Sequence, residues 1–361
     1  MAEHQALLPS EEPLRLLDES GSRVDGSGLP MPDTRRLLEV YGSLVTARRV
    51  NDQAGALVRQ GRLAVYPSSH GQEACQVGAA LALSDGDWLF PTYRDTAAVI
   101  ARGVDPIEVL TLLQGDWHAG YDPYERKVAP QATPLATQLL HAVGVAHAAR
   151  LKGEDTVVMA LCGDGATSEG DFHEALNFAA VFRAPVVFFV QNNEYAISVP
   201  LARQSAAPSL AHKGVGYGVP GERVDGNDPA AVLAVLERAV ADARAGGGPR
   251  LIEAHTYRIQ AHTNADDDTR YRSGDEVDPW VARDPLTRLE KHLKRKRALT
   301  KARRTEITEA AEAVAAYMRE GVVEGAEPEP AELFAHVFSE PTPQLAEQAA
   351  FLAEELSREG L

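Results

Sequence analysis

Cysteine is nearly absent from this chain. Cys75 and Cys162 are its only two in 361 residues, each in an apolar setting. So few thiols argue against a disulfide scaffold or a thiolate metal site, and read as two buried reduced thiols in a reducing compartment. Basic charge is also scarce: 36 Lys and Arg face 52 Asp and Glu, a net charge of −16. That sign speaks against nucleic acid and anionic membranes as partners. No apolar run reaches membrane-spanning length, and the N-terminus carries Glu3, Glu11, Glu12 and Asp18 where a signal peptide needs a basic region. The expected location is the cytoplasm. No internal repeat is visible.

What is present is enough apolar residue, 44% of the chain, to bury a large core. Residues 1–32, rich in Pro, Gly, Ser and acid, read as an extended arm ordered on a partner. An α/β domain is expected over 33–283 and a helical region over 284–361, with the proline-rich stretch 326–330 setting off a final helical tail. Helices are expected at Thr34–Gln60, Thr137–Lys152, Glu169–Phe182 and Pro229–Ala245, alternating with strands at Thr156–Cys162, Val186–Val190 and Leu251–Tyr257. The strands are continuous apolar runs rather than alternating ones, which predicts a parallel sheet covered on both faces, a doubly wound α/β fold.

The chemistry concentrates at two strand ends. Gly163-Asp164-Gly165 closes the first run and Gln191-Asn192-Asn193-Glu194-Tyr195 the second, where ligands of open α/β sheets collect. Asp164, an Asn193 side-chain carbonyl and one backbone carbonyl would make a hard-oxygen half-shell for Mg²⁺, with glycines where phosphate approaches backbone and a helix N-terminus beyond. A lone GDG would be an ordinary turn; the pairing with NN is what shifts the reading to function. A dinucleotide fingerprint fails because Ser168 stands at the third glycine's place, and His173-Glu174 is no zinc helix because Asn177 replaces the second histidine.

The stretch GDGATSEGDFHEALNFAAVFRAPVVFFVQNNEYAIS resembles the alpha subunits of the thiamine diphosphate-dependent decarboxylating dehydrogenases of 2-oxo acid dehydrogenase complexes, and the likeness runs from about Arg62 to Arg272. The resemblance implies that Asp164, Asn193 and the Tyr195 carbonyl hold Mg²⁺ and that Gly165 and Ala166 lie along the cofactor's diphosphate. It places Tyr93 and Arg94, in the loop after Trp88-Leu89-Phe90, on the same diphosphate. Gln191 stands where branched-chain members often carry a phosphate-binding arginine. The PLATQ segment implies that Thr133 and Leu135 lie against the aminopyrimidine, and that Pro134, Thr137 and Gln138 can bind K⁺. The polar loop from Ala261 to Arg272 is expected to close over the site, with His262 reaching the cofactor as the catalytic residue and helping to dock the lipoyl arm. Thr263 replaces the regulatory phosphoserine of animal relatives, so kinase control is not carried over.

The chain offers no second domain to supply the carboxylate that activates the cofactor. The resemblance therefore implies a beta subunit sharing the site in an α₂β₂ assembly, with a lipoyl-bearing acyltransferase as acceptor. PLATQ and TNADDDTRYR favour a branched-chain 2-oxo acid substrate; VQNN also occurs in pyruvate enzymes. A transketolase-like enzyme would need a further pyrimidine-binding domain. A non-catalytic scaffold would not need Asp164, Asn193 and Arg94.

Overall fold

The computed structural model describes residues 7–115, 118–131, 133–322 and 329–360. Five parallel strands form its centre: β1 (Trp88–Phe90), β2 (Val158–Gly163), β3 (Val186–Asn192), β6 (Gly221–Asp225) and β7 (Arg250–His255), in the order β1-β2-β3-β7-β6. A short hairpin of β4 (Tyr195–Ala196) and β5 (Val199–Pro200) follows β3. The doubly wound α/β fold expected from sequence is present, and the pleat explains how. Val158, Ala160 and Cys162 of β2 enter one core with the 137–152 and 170–182 helices. Met159 and Leu161 enter the other, beneath the 34–59, 73–81 and 229–242 helices. With both faces covered, every residue of β3 is buried and the strand is apolar from Val186 to Val190, before its polar end at Gln191 and Asn192.

Chain direction decides which helix lies on which face. From β1 to β2 to β3 the path advances across the sheet with helices 137–152 and 170–182 on one face; from β6 it steps back to β7 through helix 229–242, which falls on the opposite face. That is what right-handed crossovers require.

Four details depart from the sequence reading. Strand β6 was not anticipated: GERVD is polar because it is an edge strand, with its first three residues only half-buried. The GDG turn does not open directly onto an α-helix, since a 3-10 turn at Gly165–Ser168 comes first and the helix begins at Gly170. Helix 229–242 stops short of Ala245, giving way to a π turn at Ala243–Gly247 with Gly246 at φ 83°. The arm, expected to order on a partner, is held by this chain itself. Leu14 pairs with Val224, extending the sheet edge, while the Asp228 carboxylate accepts from the Leu16 and Leu17 amides at 2.7 and 2.6 Å. Both leucines are buried, and the open strand edge is thereby covered.

Helices 285–295 and 301–321 also join the main body: Leu289 and Leu293 enter the larger core, and Met318 packs with Leu57 and Leu110. Helix 343–359 has no buried residue. Most of the stretch 326–330, expected to precede the tail, lies outside the described residues, as do Ala132 and the first six residues of the arm. Among the described residues no helix is long and apolar enough to cross a membrane.

Candidate active site

Register brings the two motifs together. Gly163 on β2 pairs with Gln191 on β3, so Asp164 and Asn193 leave adjacent strands at the same carboxyl edge. Asp164 is almost wholly buried. Its Oδ2 accepts from Gln204 Nε2 at 2.7 Å, and its carbonyl accepts from Thr167 Oγ1 at 2.8 Å, which closes the 3-10 turn. Lys213 Nζ braces that turn, donating to the Thr167 carbonyl at 2.8 Å. Burial pushes the Asp164 carboxyl up to about 6, against the opposing pull of Gln204 and the Asn193 backbone amide. Gly165 is required sterically: a Cβ there would come within 2.8 Å of the Ala196 Cβ.

Asn193 is fixed at both ends of its amide. Its Nδ2 donates to Gln72 Oε1 at 2.9 Å, and its Oδ1 accepts from the Tyr195 amide at 3.3 Å. Gln72 Nε2 in turn donates to Gln191 Oε1 at 3.0 Å, and Gln191 Nε2 donates to Asp95 Oδ1 at 2.7 Å. Thus Gln191 sits inside a buried relay with both amide ends engaged.

Beside this relay three basic side chains converge. Arg94, buried, donates from Nη1 to the Ser68 carbonyl at 2.9 Å and from Nη2 to His262 Nδ1 at 3.0 Å. Arg258, also buried, places Nη1 3.4 Å from the same His262 Nδ1 and donates from Nη2 to the Ile197 carbonyl at 2.7 Å. Its Nη1 also lies 3.4 Å from the Tyr195 carbonyl, while its buried Nε has no partner. Tyr93 meets the His262 ring edge-on at 6.0 Å. Burial, followed by the charges of Arg94 and Arg258, lowers the His262 pKa to about 4. The imidazole is therefore neutral near pH 7, and with Nδ1 accepting from a guanidinium its proton resides on Nε2. Two close cations around a neutral donor make a site for a multiply charged anion.

The loop that carries His262 folds back by its own bonds. Asp266 Oδ2 accepts from the His262 amide at 2.8 Å and from the Tyr271 hydroxyl at 2.5 Å, and Arg272 pairs with Asp268 at 2.5 Å. Of the loop's two arginines, Arg272 offsets Asp268 while Arg270 is exposed.

The model of the dehydrogenase E1 component family matches residues 42–328, a span that holds every group just described. The chain belongs to this family. It is 47% identical to the 3-methyl-2-oxobutanoate dehydrogenase subunit alpha of Mycobacterium tuberculosis over 351 residues, 96% of this chain and 95% of that one. It is 38% identical to the pyruvate dehydrogenase E1 component subunit alpha of Staphylococcus aureus over 303 residues, 84% and 82% of the two chains. Membership of the E1 family implies thiamine diphosphate as cofactor.

Within this E1 chain the remaining expected residues occupy a separate arc. Thr133, Pro134 and Leu135 are exposed, and Ala136 takes a left-handed φ of 63° before helix 137–152. Thr137 Oγ1 lies 3.3 Å from Asp171 Oδ2. Gln138 donates to the Leu161 carbonyl on β2 at 2.8 Å, leaving its buried Oε1 without a partner. Arg258, Gln72 and Gln204 were missed in the sequence. A signal existed only for Arg258: a charged residue between Tyr257 and Ile259, just past a buried strand and four residues before His262. The glutamines are brought in from distant parts of the chain by tertiary packing alone.

Proposed function

We propose that this chain is the alpha subunit of a branched-chain 2-oxo acid dehydrogenase. With a beta subunit it decarboxylates 3-methyl-2-oxobutanoate and related 2-oxo acids, passing the acyl group to a lipoyl-bearing acyltransferase. The observation that carries the reading is the juxtaposition, at one sheet edge, of a buried carboxylate and amide with two guanidiniums clasping a neutral histidine. The likeness to the 3-methyl-2-oxobutanoate enzyme extends to nearly the whole chain and exceeds that to the pyruvate enzyme, which favours the branched-chain substrate.

The residues present fit Mg²⁺ and a diphosphate. Among the described residues no cluster of three or more His, Cys, Asp or Glu is placed to hold a metal by itself. A magnesium diphosphate site needs none, because Mg²⁺ takes one or two carboxylates and draws further oxygens from phosphate and water. Asp164, Asn193 Oδ1 and the Tyr195 carbonyl would hold the ion, and its charge would stabilise the anion that burial disfavours at Asp164. Gly165 and Ala166 would offer backbone amides to the diphosphate, joined by Tyr93, Arg94, Arg258 and the Nε2 proton of His262. Gln191, held in its relay, would support Asn193 through Gln72. Thr133 and Leu135 would face the aminopyrimidine. The orphaned Oε1 of Gln138, near Thr137 and Pro134, suits a K⁺ ion.

Bound there, thiamine diphosphate supplies the electron sink that 2-oxo acid decarboxylation requires. This chain's part is to hold the cofactor's charged end, keep His262 neutral, and shield the site with the 261–273 loop. A second subunit is expected because the exposed faces of helices 137–152 and 170–182 display Leu151, Phe178 and Val181, toward the helix ends remote from the GDG turn. The test is reconstitution with the beta subunit. Mg²⁺-dependent binding of thiamine diphosphate and faster decarboxylation of 3-methyl-2-oxobutanoate than of pyruvate are expected, with no activity from this chain alone. Preference for pyruvate would overturn the substrate assignment, and substantial activity of the lone chain would overturn the shared site.

A further inference from the structure

Gln204 touches the metal-site carboxylate from outside the motifs. It follows the short 3-10 turn Leu201–Arg203, beyond the β4–β5 hairpin. Its Nε2 faces two acceptors at once, Asp164 Oδ2 at 2.7 Å and the Val199 carbonyl at 2.9 Å. Because neither acceptor can donate, the amide has only one workable orientation, with nitrogen toward Asp164. Its Oε1 is consequently turned away, and that oxygen is buried without a partner. A buried carbonyl oxygen left unsatisfied costs free energy and calls for a donor. Among the described residues none supplies one, whereas a hydrated Mg²⁺ brings strongly polarised waters, since this ion keeps several when it binds.

We infer that Gln204 is a positioning residue of the metal site, whose N–H secures one oxygen of Asp164 and whose buried Oε1 receives a hydrogen bond from water on the bound ion. This rests on the magnesium diphosphate reading given above. Two properties follow. The Asp164 carboxylate is prevented from rotating, so its other oxygen is held ready for the ion; and the outer hydration of the ion is recognised by an amide carbonyl on the hairpin side of the site. Outer partners of this kind hold a ligand in place, and their loss typically weakens metal binding about 10- to 100-fold.

The experiment titrates Mg²⁺ into the reconstituted alpha–beta protein at fixed thiamine diphosphate and reads cofactor binding by calorimetry. Wild type, Gln204→Ala and Gln204→Met are compared, the methionine keeping side-chain length without either polar end. The Mg²⁺ concentration giving half-maximal cofactor binding should rise roughly 10-fold or more in both variants, with stoichiometry recovered at saturating Mg²⁺. A merely structural role would lower the amount of competent protein and leave that midpoint alone. If Gln204→Ala fails to fold, the methionine variant decides. An unchanged midpoint in a folded variant overturns the inference. A wild-type protein that binds the cofactor equally well without Mg²⁺ overturns the metal reading itself, and with it this one.

Discussion

Replacing Asp164 by asparagine should stabilise the metal-free protein while abolishing its response to magnesium. Burial raises the Asp164 carboxyl from 3.8 to about 6, and at about 1.36 kcal/mol per unit the ionised form costs the fold about 3 kcal/mol at pH 8. Asparagine is nearly the same shape and carries no charge to desolvate. It can still accept from Gln204 through its one oxygen, but it presents an NH₂ where the second carboxylate oxygen stood, which gives back about 1 kcal/mol. The net expectation is a gain of about 2 kcal/mol in urea unfolding at pH 8 without metal. The sign follows from the raised pKa. The penalty on wild type is present in full above about pH 6 and fades as pH falls toward 4, so the variant's advantage should disappear at acid pH. Adding Mg²⁺ with thiamine diphosphate should stabilise wild type strongly, by about 2.7 kcal/mol at a hundredfold excess over the dissociation constant, and the variant little. An Asp164→Asn protein less stable than wild type without metal at pH 8, or equally stabilised by Mg²⁺ and cofactor, would refute the reasoning.

Three further outcomes are expected. Arg258→Gln removes one of the two guanidiniums at His262 and should weaken thiamine diphosphate binding by about 2 kcal/mol, roughly 30-fold in calorimetry; unchanged affinity would exclude Arg258 from the diphosphate site. His262 has a folded pKa of about 4, below its ordinary 6.5, so its contribution to stability is complete above pH 6.5 and is lost as pH falls toward 4. Partial exposure limits the effect to about 1–2 kcal/mol, and thermal melts at pH 7.5 and 5 should show a smaller acid loss in His262→Gln than in wild type. Asp228→Ala strips the acceptor from two buried amides and uncaps helix 229–242, whose Ala230 and Ala231 amides it also receives. About 3 kcal/mol of local stability should go, read as faster hydrogen exchange at Leu16 and Leu17 and trypsin cleavage after Arg15 or Arg23; protection equal to wild type would show that the segment is held by its leucines alone.

Much of this architecture could be read from the chain because its strongest signals are local. The runs ending at Cys162 and Val190 are apolar throughout because both sheet faces are covered, and the GDG and NN pairs sit where those runs stop. Helix 137–152 was bounded correctly because its capping Gly153 is a local event. What escaped was set by distance. Strand β6 reads as a loop because only Val224 and Asp225 are buried, and the burial of Leu16 and Leu17 depends on a carboxylate over two hundred residues away. Arg258 looks like a surface residue until the fold places it opposite Arg94. Gln72 and Gln204 carry no mark at all, since an isolated glutamine is ordinary anywhere in a sequence.

The buried row of amides from Asp95 to Asn193 also works as a compass. Asp95 accepts from the Thr92 amide and hydroxyl through Oδ2 and from Gln191 through Oδ1, so it fixes Gln191 with its nitrogen inward. Gln191 must then show oxygen to Gln72, and Gln72 must show oxygen to Asn193. The nitrogen of Asn193 is thereby turned toward Gln72, and its oxygen lies on the other side, where the Tyr195 amide donates to it and a second lone pair remains. Which end of Asn193 a cation would meet is thus set by the Tyr195 amide beside it and reinforced three side chains away, by an aspartate that need never touch it. Neutralising Asp95 would leave the Gln191 and Gln72 bonds free to reverse, with the Tyr195 amide alone opposing a flip of Asn193 that would greet a metal ion with hydrogens. Sequence positions 95, 191 and 72 therefore share one hydrogen-bond polarity with position 193.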